Sequence, residues 1–209
     1  MGLVSSGNAP IVGDATQKYF LAVFEETLTI LEDNRIEHLV IGSIANSAHF
    51  GPAVEVAGDI DVHVRKPDAD RCLEIFPAYG YATHVRDPYW IYKAAKPNVT
   101  IDLIFKASGR VELDDEMLAA SMSCPFEHLE LRVPSPEDMA LLFVLLDTDE
   151  RPGFWYEAMR YLRVVDDCDY LVARAERYGP RKMLSALLYA AESHITVPER
   201  AIAALSNAM

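Results

Sequence analysis

Three aspartates are set inside otherwise apolar runs. Asp59 and Asp61 interrupt "GDIDVHV", and Asp102 interrupts "VTIDLIF". Side chains alternate across a strand, so Asp59 and Asp61 share one face while Ile60 and Val62 take the other. Same-face neighbours lie about 7 Å apart, a span over which two carboxylates can share divalent ions. Burying unpaired charge is costly and two like charges add repulsion; a cation removes both costs. Asp102, flanked by Ile101 and Leu103, offers a third carboxylate from another strand. Such a donor set suits Mg²⁺ and, less selectively, Mn²⁺. Upstream, a short apolar run ends at Gly42-Ser43. A strand that turns into a helix through Gly-Ser exposes backbone N–H groups able to hold phosphate oxygens, to which the Ser43 hydroxyl can add a donor.

The surrounding pattern supplies elements to hold these groups. Phe20, Leu21, Phe24, Leu28 and Leu31 recur at helical spacing, which predicts a helix over 14–34. A strand is expected over 37–41, then a helix over 44–49 capped by Ser43. The strand 59–64 is introduced by Gly58, and a helix over 68–79 has Pro67 as starter and Gly80 as stop. Strands follow over 82–86, 89–94 and 99–105, then a helix over 113–121 and a strand over 129–133. In "PSPEDMALLFVLL" Ser135 is the expected cap, with Pro136 at the first helical position and Glu137-Asp138 near the positive end of the helix. Beyond it only helices are expected, over 157–178, 181–193 and 198–207. The predicted class is therefore α+β: a small, mixed, twisted sheet flanked by helices, in a unit spanning 14–134, with a helical C-terminal region over 135–209. Residues 1–13 read as a loose leader.

Composition narrows the function. The chain has 209 residues, 51% of them apolar and 24% charged, which is ordinary globular composition. No apolar stretch has membrane-spanning length, and no secretory signal is evident. Cys72, Cys124 and Cys168 are few, odd in number and far apart, as expected of thiols in a reducing, cytoplasmic setting. The net charge of −13 opposes an extended nucleic-acid surface. Basic residues nonetheless outnumber acidic ones between Arg65 and Arg110, which suggests room for a small polyanion. No Gly-rich loop ending in Lys-Ser/Thr and no nucleophile elbow is present, which disfavours Walker-type NTPases and Ser-His-Asp hydrolases.

Gly42-Ser43, Asp59-Ile-Asp61 and Asp102, with the "LDDE" segment and the "PSPEDM" helix start, together resemble the signature of the nucleotidyltransferase superfamily with the DNA-polymerase-β-like fold. The closer resemblance, over about residues 36–145, is to small bacterial nucleotidyltransferase-like proteins. It implies transfer of a nucleoside monophosphate from a nucleoside triphosphate, ATP first among them, to an acceptor hydroxyl, with release of pyrophosphate. It also implies that Asp59, Asp61 and Asp102 hold Mg²⁺ or Mn²⁺ and that Gly42 and Ser43 grip the β- and γ-phosphates. The acceptor is left open: a small molecule, a protein hydroxyl or a tRNA end. Two departures stand out. The Ser43–Asp59 gap is long for the motif, and "MALLFVLL" lacks the Lys that relatives often carry there. Lys93 and Lys96, in or just after a strand near the expected site, are the substitute cations for the triphosphate. His63 shares the face of Asp61, as packing or as a neighbour of the site. Tyr89, Trp90 and Tyr92 either fill a sheet face or stack on a base. A nucleotide-binding or partner-binding protein of the same fold with lost catalysis is the alternative.

Overall fold

The computed structural model describes residues 14–51, 59–146 and 153–208. The expected leader and the Gly58 strand start lie outside them. The amphipathic helix α1 (Asp14–Asp33) precedes β1 (His38–Val40), α2 (Gly42–Phe50), β2 (Asp59–Val64) and α3 (Lys66–Ile75), which runs on into a 3₁₀ turn (Phe76–Tyr79). Three strands follow: β3 (Ala82–Asp87), β4 (Ile91–Lys96) and β5 (Val99–Ile104). After α4 (Asp115–Ala120) come β6 (Met122–Phe126) and β7 (Leu129–Val133), and then α5 (Pro136–Leu146), α6 (Phe154–Leu162), α7 (Cys168–Tyr178), α8 (Pro180–Glu192) and α9 (Glu199–Asn207).

The five-stranded sheet has the order β1-β2-β5-β4-β3, and β6 pairs with β7 as a separate hairpin. β2 and β5 are parallel, while β1–β2, β5–β4 and β4–β3 are antiparallel. The sheet is mixed and helix-flanked, as expected. One face carries Ile60, Val62, Ile101 and Leu103, all fully buried. Polar tethers show what covers it: Tyr81 bonds Thr27 and Glu26 of α1, and Tyr92 bonds Asp70 of α3. The aspartates lie on the opposite face. Buried side chains from Val23 to Leu205 form one cluster that runs through the sheet and the later helices. No described helix is long and apolar enough to cross a membrane.

Four expectations are corrected. α2 begins at Gly42 rather than after it, with Ile41 at the cap position and no side-chain cap, so Ser43 sits inside the first turn. β4 starts at Ile91, which leaves Tyr89 and Trp90 in the preceding turn. A strand, β6, replaces what reads as connection before 129. The helix expected over 157–178 is two helices, because the chain breaks at Arg163–Asp167. There the Asp167 carboxylate accepts the Tyr170 N–H at 2.9 Å and caps α7. Glu137 Oε1 accepts the N–H groups of Asp166 and Asp167 at 2.9 and 3.0 Å. Glu137 is thus buried and ties down the α6–α7 connection, a more specific job than complementing the dipole of its own helix.

Candidate active site

Register places the acids together. Asp61 on β2 is directly opposite Asp102 on β5, and Asp59 is opposite Thr100. Oxygens of Asp59, Asp61 and Asp102 all lie within 4.8 Å of one another. Asp102 is buried and the other two are half-buried. The surrounding strands need no special residues for this. β-branched and apolar neighbours pack the far face, and the alternation delivers the acids to the near one.

The electrostatics fit a divalent ion. Burial, then the charges of Asp59 and Asp102, push the Asp61 carboxyl up to about 7, with Lys93 pulling the other way. Lys93 lies opposite Asp102 in the β4–β5 register and donates to its Oδ1 at 2.5 Å. Three carboxylates against one ammonium leave negative charge that a hard, oxygen-seeking cation would neutralise.

Gly42 closes this arrangement from the β1 side, where the Ile41 N–H donates to the Asp61 carbonyl at 3.0 Å. A Cβ added at Gly42 would lie 2.1 Å from Asp61 Oδ2, and the backbone there has φ +69°. Both facts demand glycine: the left-handed conformation penalises a side chain, and the carboxylate occupies the space one would need. The N-terminal turn of α2 therefore rests directly on Asp61. Gly42→Ala is expected to cost about 1–3 kcal/mol of stability and to weaken divalent-ion binding by displacing Asp61. Calorimetric titration with Mn²⁺ checks this, and unchanged affinity would show that the close contact does not set the site.

The remaining predicted residues separate by face. Lys96, three residues beyond Lys93 on a strand, points the other way; it pairs with Glu26 and lies 4.5 Å over the Tyr81 ring. The structure does not bring it to the carboxylates. Tyr92 also faces away, buried, with its hydroxyl 3.0 Å from Asp70. Tyr89 is exposed in the β3–β4 turn. The local excess of basic residues is largely neutralised in place: Arg65 pairs with Asp115, Lys66 with Asp70, Arg71 with Asp68 and Lys106 with Glu112. His63 continues the row of Asp59 and Asp61 but is fully buried, with Nδ1 2.9 Å from the Ile104 carbonyl, and burial lowers its pKa to about 4.

Sequence reasoning missed a buried network alongside. Arg174 on α7 is 1% exposed; its Nε donates to Asp138 Oδ1 at 2.9 Å and its Nη1 to Asp114 Oδ2 at 2.6 Å. Tyr170 and Tyr178 add hydroxyls to Asp138 and Asp114. Asp114 also caps α4 by accepting the Met117 N–H. Arg174 thereby links α7 both to α5 and to the segment after the sheet. The "LDDE" motif carries the one sequence hint, an acid at an N-cap; the burial of Arg174 has no local signal.

A helix-flanked mixed sheet with three acids converging from two neighbouring parallel strands defines a nucleotidyltransferase superfamily protein of DNA-polymerase-β-like fold. The chain belongs to the family described as uncharacterised nucleotidyltransferase, which matches residues 15–195. No curated protein matches the sequence. Among solved structures, the chain is similar to the antibiotic-resistance factor ANT(2″)-Ia in solution, with 16% identity and a TM-score of 0.57 over 87% of this chain and 100% of that one. It is also similar to an antigenic nucleotidyltransferase-like protein from Paracoccidioides brasiliensis, with 11% identity and a TM-score of 0.58 over 90% of this chain and 92% of that one. At these identities the likeness is one of fold.

Proposed function

We propose that the protein is a metal-dependent nucleotidyltransferase that moves a nucleoside monophosphate from a nucleoside triphosphate, ATP first, to an acceptor hydroxyl. The acceptor hydroxyl gives up its proton to solvent as its oxygen attacks the α-phosphorus, the bond from that phosphorus to the oxygen bridging to the β-phosphate breaks, and pyrophosphate leaves with that oxygen. The observation that carries this reading is the convergence of Asp59, Asp61 and Asp102 within 4.8 Å. These carboxylates would hold Mg²⁺ or Mn²⁺, which supplies charge neutralisation at the phosphates and lowers the pKa of a bound hydroxyl. Gly42 and Ser43, in the first turn of α2, would offer backbone N–H groups to the phosphates. Lys93, on the sheet face that carries the acids, would be a cation for the triphosphate. Alignment on a rigid sheet and fixed charges would provide most of the rate. The net charge of −13 favours a small molecule, a protein hydroxyl or a tRNA end over extended nucleic acid as acceptor.

A nucleotide-binding protein without catalysis is favoured by one feature, the Lys93–Asp102 ion pair, which already occupies part of the third carboxylate. Two measurements separate the readings. Triphosphate binding is measured with and without Mg²⁺, and pyrophosphate release is followed across a panel of hydroxyl acceptors. The enzyme binds the nucleotide far more tightly with the ion and releases pyrophosphate, and Asp102→Asn abolishes the release while the protein stays folded. Turnover retained in Asp102→Asn would overturn the assignment. Mg²⁺-dependent binding without release across the whole panel would support the second reading.

A further inference from the structure

We propose that Lys93 is an exchangeable counterion. Its ammonium holds Asp102 until a divalent ion and a polyphosphate bind together, and it then transfers from Asp102 to the polyphosphate. This rests on the nucleotidyltransferase reading above and deepens it by stating how the ion and the nucleotide are coupled.

The geometry comes from one transverse row of the sheet. Asp61 on β2 is opposite Asp102 on β5, Asp102 is opposite Lys93 on β4, and Lys93 is opposite His84 on β3. The Lys93 ammonium sits 2.5 Å from Asp102 Oδ1, and the two side chains are only 24% and 10% exposed. A pair this shielded is screened much less than a surface ion pair. Asp102 is also one of the three carboxylates that converge on the candidate ion position. An ion carrying two positive charges and the ammonium compete for the same carboxylate and repel each other across a few ångströms. The ion alone therefore binds against the Lys93 charge. A polyphosphate changes the balance by giving the ammonium a second anionic partner on the same side of the sheet.

Lys93 is built for such a move. Its backbone is fixed, because β4 is paired on both sides, to β3 and to β5. Its side chain is a long flexible stem ending in a point charge with three rotatable donors. An exchange of partners needs only side-chain rotation. By linkage, whatever the nucleotide adds to ion affinity the ion adds to nucleotide affinity.

The test uses the whole protein, Mn²⁺ and a non-hydrolysable ATP analogue, with binding read by calorimetry and by the electron paramagnetic resonance of free Mn²⁺. In Lys93→Met, Mn²⁺ alone is expected to bind about tenfold more tightly than in the wild type, because a repelling charge is gone. In the presence of Mn²⁺ the analogue is expected to bind about tenfold more weakly, because its cationic partner is gone. The opposite signs are the signature of exchange. Lys93→Gln repeats the measurement should the Met variant melt early, and Lys96→Met, on the other face of β4, should change neither constant. A wild type that binds Mn²⁺ and analogue together, with a Lys93→Met that binds Mn²⁺ alone no more tightly, would overturn the exchange and leave the nucleotidyltransferase reading standing. A wild type that binds neither would overturn both.

Discussion

Replacing Asp61 by Asn is expected to make the protein more stable at pH 8 in chelator, while removing divalent-ion binding and turnover. The carboxyl of Asp61 is pushed up from its ordinary value of 3.8 to about 7, by burial first and then by Asp59 and Asp102. The folded state therefore holds this proton more tightly than the unfolded state. The stability it contributes is complete below about pH 4 and is lost as pH rises through about 7. Across that window the wild type gives up on the order of 4 kcal/mol as an upper bound, from about three pH units at 1.36 kcal/mol each. The Asn variant does not titrate there, and its amide can donate to a neighbouring carboxylate. Saturating Mn²⁺ inverts the ranking, because an ion that binds only the folded wild type stabilises it by mass action. Urea denaturation at pH 5 and pH 8, with chelator and with Mn²⁺, checks all four corners. A variant less stable than the wild type at pH 8 in chelator would show that Asp61 is held by structural hydrogen bonds, with no burden of repulsion.

The acids were readable in the sequence because period-two alternation exposes them. An Asp inside an Ile/Val/Leu run must share a face with the next residue but one, and Asp59, Asp61 and Asp102 obey this. The same rule separates the two lysines. Lys93 and Lys96 are close in sequence, yet an offset of three on a strand reverses the face, so Lys96 meets Glu26 on α1 while Lys93 meets Asp102. What alternation cannot supply is which strands are neighbours. The parallel pairing of β2 with β5 skips over β3 and β4, and only packing of the whole sheet decides it.

The helical half was less legible for a related reason. Arg174 lies in "YLVARAERY", an amphipathic segment where an arginine reads as a solvated residue, and Glu137 and Asp138 read as acids suited to a helix N-terminus. All three are buried by partners distant in sequence: Asp138 by Arg174, Glu137 by the backbone at Asp166 and Asp167. The break between α6 and α7 did have a local signal, the β-branched Val164-Val165 followed by the capping Asp167. The helical periodicity on either side hid it.

Arg174→Met is expected to lower stability by about 3–5 kcal/mol, the usual cost of leaving one member of a buried ion pair without its partner. The loss falls mainly on Asp138, which has no exposed surface and, among the described residues, would keep the Tyr170 hydroxyl at 2.7 Å as its side-chain donor. Burial already raises the Asp138 carboxyl above its usual range even with Arg174 opposing it. Without the guanidinium it rises further and takes up a proton. That fixes the sign of the pH dependence. A folded-state pKa above the unfolded value gives stability that is lost with rising pH, so the deficit of Arg174→Met should be smaller at pH 5 than at pH 8. Asp138→Asn in the same chain should recover part of the deficit at pH 8, because it removes the orphaned charge and retains hydrogen-bonding capacity. Asp114 behaves differently, since it is partly exposed and still caps α4 through the Met117 N–H; losing Arg174 leaves it solvated and ionised. Denaturation of the single and double variants at both pH values measures the coupling directly. A pH-independent loss below about 1 kcal/mol, in the range of exposed ion pairs, would mean that water replaces the guanidinium in this network and that packing alone joins α7 to the rest of the protein.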